Sequence, residues 1–433
     1  MRILLLGADG FIGSEIAVSL LQAGHGVRGP CRDLRRASYR LPGVEFHRID
    51  LRTMQNAGDW LPLVADMDAV INVSGVLQSG FRDDVSAVQD RAVTALATAA
   101  KRAGVGHFVQ VSAAGAERNC GNEFMASKAR ADAALGIAGI AHTILRPGLV
   151  IGRNCYGGTE LLRMVGAFPM LRAQPTGCGR IQCVAMADLV EAVAVVLAEP
   201  PDTRAVFDLV ERDGHELSEI IDGHRDWLGL PPPRWELRLP FGALRPLGWF
   251  ADRLGALGWR SPLRSNALEA LARGVAGDAS QAAGLLGREP LAMKQAFAAL
   301  GPSGKADRWH ARLAAVFPFA LATLVLLWLV SGVIGLARLD AARTLLEDGG
   351  IGTDLARGLV AAGSLADIAI GLAIAFRPFL RLGLKAGIAL AFTYAGASLF
   401  ARPDLWLDPL APMIKILPVL ALSWACLAMA EER

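Results

Sequence analysis

Three glycines stand at fixed spacing near the start of the chain, in the run Leu4-Leu5-Leu6-Gly7-Ala8-Asp9-Gly10-Phe11-Ile12-Gly13. The pattern is G-x-x-G-x-x-G, an apolar strand running into a turn and then a helix. Gly7 permits the tight turn, Gly10 lets the backbone approach a pyrophosphate, and Gly13 lets helix and strand pack closely. The helix N-terminus then turns its amide donors and the positive end of its dipole toward the phosphates. In the first strand–turn–helix of a chain this spacing predicts a dinucleotide site formed by Gly7, Asp9, Gly10, Phe11, Ile12 and Gly13. The chemistry it points to is redox work on a nicotinamide cofactor.

Three later strand ends extend that site. After the second strand comes Gly29-Pro30-Cys31-Arg32-Asp33. A carboxylate at this point usually binds the ribose hydroxyls of NAD, whereas a guanidinium suits the 2′-phosphate of NADP. Arg32 favours NADP (NADPH) over NAD, although Asp33 follows at once. Asp50 and Leu51, ending the third strand, would border the adenine. Asn72, Ser74 and Gly75, ending the fourth, would lie along the cofactor beneath the ribose.

These residues need an alternating frame to bring them together. Arg2–Leu6, Gly26–Cys31, Val44–Asp50, Ala69–Ser74, His107–Ser112 and His142–Arg146 are short apolar runs rich in Val, Ile and Leu. Segments of helical period lie between them, such as Ile12–Gln22 and Ser86–Arg102. The order predicts an α/β fold, a Rossmann-type doubly wound parallel sheet with helices on both faces. From about 150 to 300 the pattern loosens around Pro-rich turns such as Leu230-Pro231-Pro232-Pro233, which reads as a small substrate lobe. The expected division is a nucleotide domain over 1–300, a linker over 301–312 and a second domain over 313–433.

The second domain has a different solvent. Leu313–Ala337 has no charged residue over about 25 positions, long enough to cross a bilayer. Gly358–Phe376 has one, Asp367; Phe379–Ala401 has Arg381 and Lys385; Pro409–Ala430 has Lys415. The expectation is an all-α, four-helix transmembrane domain, with Asp367 turned inward and paired to Lys385 or Lys415. Lys305, Arg308 and Arg312 before the first span, and Arg377 and Arg381 between the second and third, fit a cytoplasmic side. A nucleotide domain also needs cytoplasmic NADPH. Both ends are therefore expected inside, in the inner (cytoplasmic) membrane.

Composition narrows the remaining classes. A net charge of +3 over 433 residues, with no Lys/Arg block, argues against nucleic acid as a partner. The cysteines at 31, 120, 155, 178, 183 and 426 form no C-x-x-C pair, and none has a His at metal-ligand spacing, so no metal site is expected. The apolar N-terminus is interrupted by glycines, Asp9 and Glu15, and reads as a first strand and helix instead of a signal peptide.

With GADGFIG, the strand end VINVSGVL, HFVQVSAAGA, FMASK at 124–128, LRPGLVIG at 145–152 and IQCVAMADLVEAV at 181–193, residues 1–210 resemble an atypical short-chain dehydrogenase/reductase. The likeness is to the subgroup around the NADPH-binding accessory subunit of respiratory complex I and the NmrA-like proteins. The tail, with LADIAIGLAIAFRP and DPLAPMIKILPVLAL, resembles the DoxX-like four-span membrane module. The first resemblance implies a working Ser, Tyr and Lys. The Tyr exchanges a proton while hydride moves, the Lys four residues on lowers the Tyr pKa and holds the nicotinamide ribose, and the Ser bonds the substrate oxygen. Mapped here, Ser112 and Lys128 are present and Phe124 occupies the Tyr position. None of the three tyrosines, at 39, 156 and 394, has a Lys at i+4. Glu123 is the neighbouring acid.

Three functions fit this pattern. One is a membrane-anchored NAD(P)-dependent oxidoreductase or isomerase with a lipophilic substrate. Another is a non-catalytic NADPH-binding protein, structural or redox-sensing. In the third the membrane module is the working part and the nucleotide domain regulates it. Ser112 and Lys128 favour the first, Phe124 the second.

Overall fold

The computed structural model describes residues 1–76, 80, 84–117, 122–201, 203–259, 261 and 263–431. Cys120 lies outside them. The strands are β1 (Arg2–Leu6), β2 (Gly26–Cys31), β3 (Glu45–Arg48), β4 (Ala69–Asn72), β5 (His107–Val111), β6 (His142–Pro147), β7 (Leu149–Ile151), β8 (Leu171–Thr176), β9 (Cys183–Ala185), β10 (Arg204–Leu209) and β11 (Trp235–Pro240). Seven of them form one parallel sheet in the order β10-β6-β5-β4-β1-β2-β3.

β1 shows why the sheet is buried on both faces. Ile3, Leu4, Leu5 and Leu6 are all fully buried, a continuous apolar run of the kind that two covering helix layers require. Ile3 and Leu5 pack with Ile16, Leu20, Leu189 and Val193 on one face. Leu4 and Leu6 pack with Trp60, Val64, Leu96 and Leu135 on the other. The strand order reverses between β1 and β4, with Leu6 opposite Asn72. That switch point opens a crevice at the carboxyl ends of the strands, where ligands bind in such sheets.

Three strands are shorter than their apolar runs, because β3 ends at Arg48, β4 at Asn72 and β5 at Val111. β4 stops because the Asn72 side chain takes the Ser74 amide (3.0 Å), turning the chain out of the ladder. The seventh strand, β10, falls in the region where the apolar pattern is loose. As an edge strand it is only half-buried and carries no strong signal. The lobe beyond β6 contains two small parallel ribbons, β7–β9 and β11–β8, and a separate core of Ile151, Leu162, Ile181, Ile220 and Phe297 in which β7 and β9 take part.

The chain divides into two compact units. Met1–Gly255 and the stretch ending at Ala311 form the first; Ala256–Trp259 and the chain from Arg312 form the second. The stretch expected as a linker is helical from Lys305 onward.

Among the described residues three helices are long and apolar enough to cross a membrane: Lys305–Ala337, Thr353–Ala375 and Arg377–Ala401. The fourth expected span is helical only over Ile416–Glu431, 16 residues, or about 24 Å at 1.5 Å per residue. Pro409 and Pro412, with Ala411 between them at φ 46°, break the backbone before it. Asp367 is buried in the bundle as expected, but its partners differ. It accepts from the Ser331 hydroxyl (2.8 Å) and the Tyr394 hydroxyl (2.9 Å), while Lys385 and Lys415 are exposed. The facing helices present hydroxyls at that height, and both lysines point away from the bundle.

Candidate functional site

The glycine turn follows β1 directly. Gly7 has φ +76°, the left-handed region in which a side chain is strained, and a Cβ there would meet the Ser74 backbone at 3.2 Å. Its carbonyl accepts from the Gly10 amide (2.9 Å). A Cβ on Gly13 would stand 2.0 Å from that same carbonyl oxygen, so this position must be glycine for helix Phe11–Gln22 to seat here. Gly10 caps the helix and is exposed, leaving its first amides open to a phosphate. The Phe11 ring lies against Gly152 and Met186, and Ile12 packs on the core. This is a cradle that only backbone can line.

At the other end of the dinucleotide path, Arg32 is exposed at the end of β2. Asp33 is engaged as the cap of helix Leu34–Arg40, where its carboxylate accepts from the Arg36 amide (3.1 Å). Arg40 returns to the glycine turn and donates to the Asp9 carbonyl (3.2 Å). Asp50 caps the short turn Leu51–Thr53 and binds Arg52 through both oxygens, at 2.5–3.1 Å. Arg52 holds the Asp50 carboxyl below the usual range, and the charge of Arg32 adds to this. Leu51 is half-buried against the second core layer.

The strand ends of β4 and β5 meet around one buried cation. Lys128 sits on helix Glu123–Ala138, which is capped by Asn122 accepting from the Met125 amide (3.3 Å). Its Nζ donates to the carbonyls of Ser74 and Val111, both at 3.0 Å, and runs beside Gly75. Burial pushes the Lys128 ammonium down to about 8. Asn72 is buried, donating to Gln110 (2.9 Å) and accepting from the Ser74 hydroxyl (2.6 Å).

Ser112 is buried at the end of β5, and its hydroxyl donates to Asp132 Oδ2 (2.8 Å). Asp132 also meets Arg146 at 3.4 Å, and burial holds its carboxyl above the usual range. Phe124 is half-buried in the first turn of the Lys128 helix, and Glu123 is paired to Arg130 (2.6 Å). Tyr39 and Tyr156 are exposed, and Tyr394 belongs to the second unit.

The structure thus brings Gly7, Asn72, Ser74, Gly75, Ser112 and Lys128 to adjoining ends of β1, β4 and β5, while Arg32 and Asp50 lie at the ends of β2 and β3. Sequence reasoning missed Asp132, Arg146 and Arg40. Asp132 had a signal, since it lies four residues after Lys128 on one helix and so on the same face. Among the described residues no cluster suited to a metal ion occurs and no disulfide forms.

Residues 7–162 match the family model described as NAD(P)H-binding, and residues 325–424 match that of the DoxX-like family. A curated relative is the NAD-dependent epimerase/dehydratase terH of Aspergillus terreus (strain NIH 2624 / FGSC A1156). It is 32% identical over 85 residues, which are 18% of this chain and 25% of that protein. The chain therefore spans about a quarter of that relative's length. Among solved structures, UDP-glucose 4-epimerase of Thermus thermophilus in complex with NAD is 19% identical, with a TM-score of 0.51, covering 69% of this chain and 99% of that one. A tyrosine-to-phenylalanine mutant of Bacillus cereus UDP-glucuronic acid 4-epimerase, in complex with a fluorinated sugar nucleotide and NAD, is 15% identical. Its TM-score is 0.51, and the match covers 72% of this chain and 100% of that one. At these identities the likeness is one of fold. The chain carries an NAD(P)-binding domain with the fold of short-chain dehydrogenase/reductase-type epimerases, followed by a DoxX-like domain with apolar helices long enough to cross a membrane.

Proposed function

We propose that this is a membrane-anchored oxidoreductase or isomerase whose nucleotide domain, residues 1–300, holds NADPH and acts on a lipophilic substrate reached from the bilayer. The observation that carries the reading is Lys128. A buried ammonium bonded to two carbonyls is costly unless a ligand uses it, and it stands beside Gly75 at the switch point of the sheet. Gly7, Gly10 and Gly13 would hold the pyrophosphate, Arg32 the 2′-phosphate and Lys128 the nicotinamide ribose. Engagement of Asp33 as a helix cap supports Arg32 as the ribose-end group and hence NADP. The bound cofactor would supply or accept hydride; the chain's part is to orient it and to exclude water. We place the nucleotide domain in the cytoplasm, where NADPH is available, and the spans in the inner membrane.

Phe124 and the Ser112–Asp132 bond favour a second reading, a non-catalytic NADPH-binding protein that is structural or redox-sensing. Phe124 has no proton to give, and the Ser112 hydroxyl already donates to a carboxylate. Cofactor retention fits either reading, since the Bacillus cereus tyrosine-to-phenylalanine mutant is in complex with NAD.

The full-length protein in bilayers, supplied with NADPH, separates the two. Consumption with quinones or a membrane-lipid extract, but not with soluble ketones, is the expected outcome of the first. Binding seen by NADPH fluorescence, with neither NADPH consumption nor any isomerisation of the extracted lipids detected by chromatography, establishes the second. Absence of binding overturns both.

A further inference from the structure

The first unit contains a helix whose polarity is inverted. In Arg245–Ala256 the residues turned inward are Gly248, Ala251 and Gly255, and the large apolar ones are turned out. Leu247 is 42% exposed, Trp249 58% and Phe250 55%. The inward face is closely packed, with Gly248 against Leu268 and Gly255 against the Arg264 guanidinium. A soluble helix hides its large apolar residues and shows small or polar ones; this one does the reverse. The strand that leads into it also exposes large apolar side chains, with Trp235 61% and Leu237 43% exposed on β11. An exposed apolar patch of this kind marks an interaction site.

Its charge says what it meets. Arg234, Arg238, Arg245 and Arg253 are all exposed in the same segment. Its two acids are engaged elsewhere: Glu236 with Arg172 (3.0 Å) and Asp252 with Arg264 (3.0 Å). The Arg253 guanidinium lies 4.7 Å from the centre of the Trp249 ring. Tryptophan and phenylalanine set among arginines form the signature of a helix lying in the headgroup region, with its rings at the acyl boundary and its guanidinium groups on phosphates. The chain also leads from this helix to apolar spans. The next residues after Ala256 pack within the second unit, Leu257 accepting from the Arg377 amide (3.0 Å) and Trp259 donating to the Ala375 carbonyl (2.6 Å). Ala375 ends one span and Arg377 begins the next.

We infer that Trp235–Ala256 is a membrane-surface element, its occupant the headgroup and upper acyl region of a bilayer containing anionic phospholipid. It would fix the first unit to the interface independently of the spans, whether or not the cofactor site turns anything over.

The test uses the full chain in nanodiscs of mixed zwitterionic and anionic phospholipid. Photoreactive benzoylphenylalanine replaces Trp249 or Phe250, one at a time, and Ile137, an exposed residue outside the segment, in a control. Expected on illumination are phospholipid adducts by mass spectrometry at 249 and 250, at least fivefold above the control, and a lower yield when the anionic lipid is omitted. Crosslinks from 249 and 250 to a second copy or to other parts of this chain in place of lipid would overturn the inference. So would lipid adducts no more frequent than at position 137. A Trp249→Glu/Phe250→Glu variant with the probe at position 235 is the companion measurement, its folding checked by circular dichroism. Loss of the lipid adduct at 235 is expected, and an undiminished adduct would also count against the proposal.

Discussion

At the pyrophosphate end of the proposed cofactor path, Gly7, Gly10 and Gly13 act through backbone alone. At the nicotinamide end the outcome depends on the side chains of Ser112, Phe124 and Lys128. The first end tolerates no added atom, because a Cβ at Gly13 would collide with the Gly7 carbonyl at 2.0 Å. The second has lost one atom from the arrangement that the family resemblance implies, the phenolic oxygen at position 124. The contrast separates two properties that usually travel together. Binding built from amides and a helix terminus survives as long as the turn survives, whereas proton transfer through position 124 is lost with a single hydroxyl.

The largest expected effect is at the side-chain end. Phe124→Tyr adds one oxygen one helical turn before Lys128, and a positioned proton donor contributes roughly 10²–10⁴ in rate. Reduction of ketones or quinones by the variant, followed as NADPH oxidation, should exceed the native rate by about that factor. If cofactor still binds and the rate stays flat, the bond from Ser112 to Asp132, and not the missing phenol, is what closes this end.

Gly13→Ala addresses the backbone end. The helix must shift away from the Gly7 carbonyl to admit the methyl, and NADPH affinity should fall on the order of 100-fold, close to 3 kcal/mol. Gly58→Ala is the matched control, since nothing lies within 4 Å of its added carbon. Titration of NADPH fluorescence with both variants checks the pair. Equal affinity in the two would mean that the turn does not hold the pyrophosphate.

A smaller effect separates the cofactors. One charge-assisted contact to phosphate contributes roughly 1.5–3 kcal/mol. Arg32→Ala should therefore weaken NADPH about tenfold or more and leave NADH unchanged. Equal losses for both would remove Arg32 from the 2′-phosphate.

The smallest concerns pH. Lys128 keeps its proton below about pH 8 and sheds it above. If its ammonium holds the ribose, binding favours the protonated form, so NADPH affinity should be level at neutral pH and a few-fold weaker by about pH 9. The inflexion should be absent in Lys128→Met. A profile that is the same in both proteins would show that this lysine does not contact the cofactor.

Much of this architecture is readable without coordinates, for reasons that differ by feature. The glycine turn is legible because its meaning is local: a positive φ at Gly7 and a close helix approach at Gly13 are demanded by neighbours a few residues away. The strands β1, β5 and β6 are legible because both faces of the sheet are covered, leaving mostly apolar runs. The long spans are legible because a bilayer leaves no choice about charge over such a length. β10 escaped because an edge strand is only half-covered, and the fourth helix was overestimated because apolar composition continues through Pro409 and Pro412 although the helix cannot.

What sequence spacing determined, then, is which backbone surfaces exist and in which order: a dinucleotide-type turn, an alternating sheet, apolar spans, and Phe124 four residues before Lys128. The tertiary structure decided which polar groups find one another. It took Asp33 as a helix cap, bonded Ser112 to Asp132 twenty residues away, held Lys128 on carbonyls at the ends of two different strands, and gave Asp367 two hydroxyls in place of a lysine. Backbone conformation is set by near neighbours in the chain. The partner of a buried polar side chain is set by whichever distant element the fold brings within about 3 Å, and no local pattern records that choice.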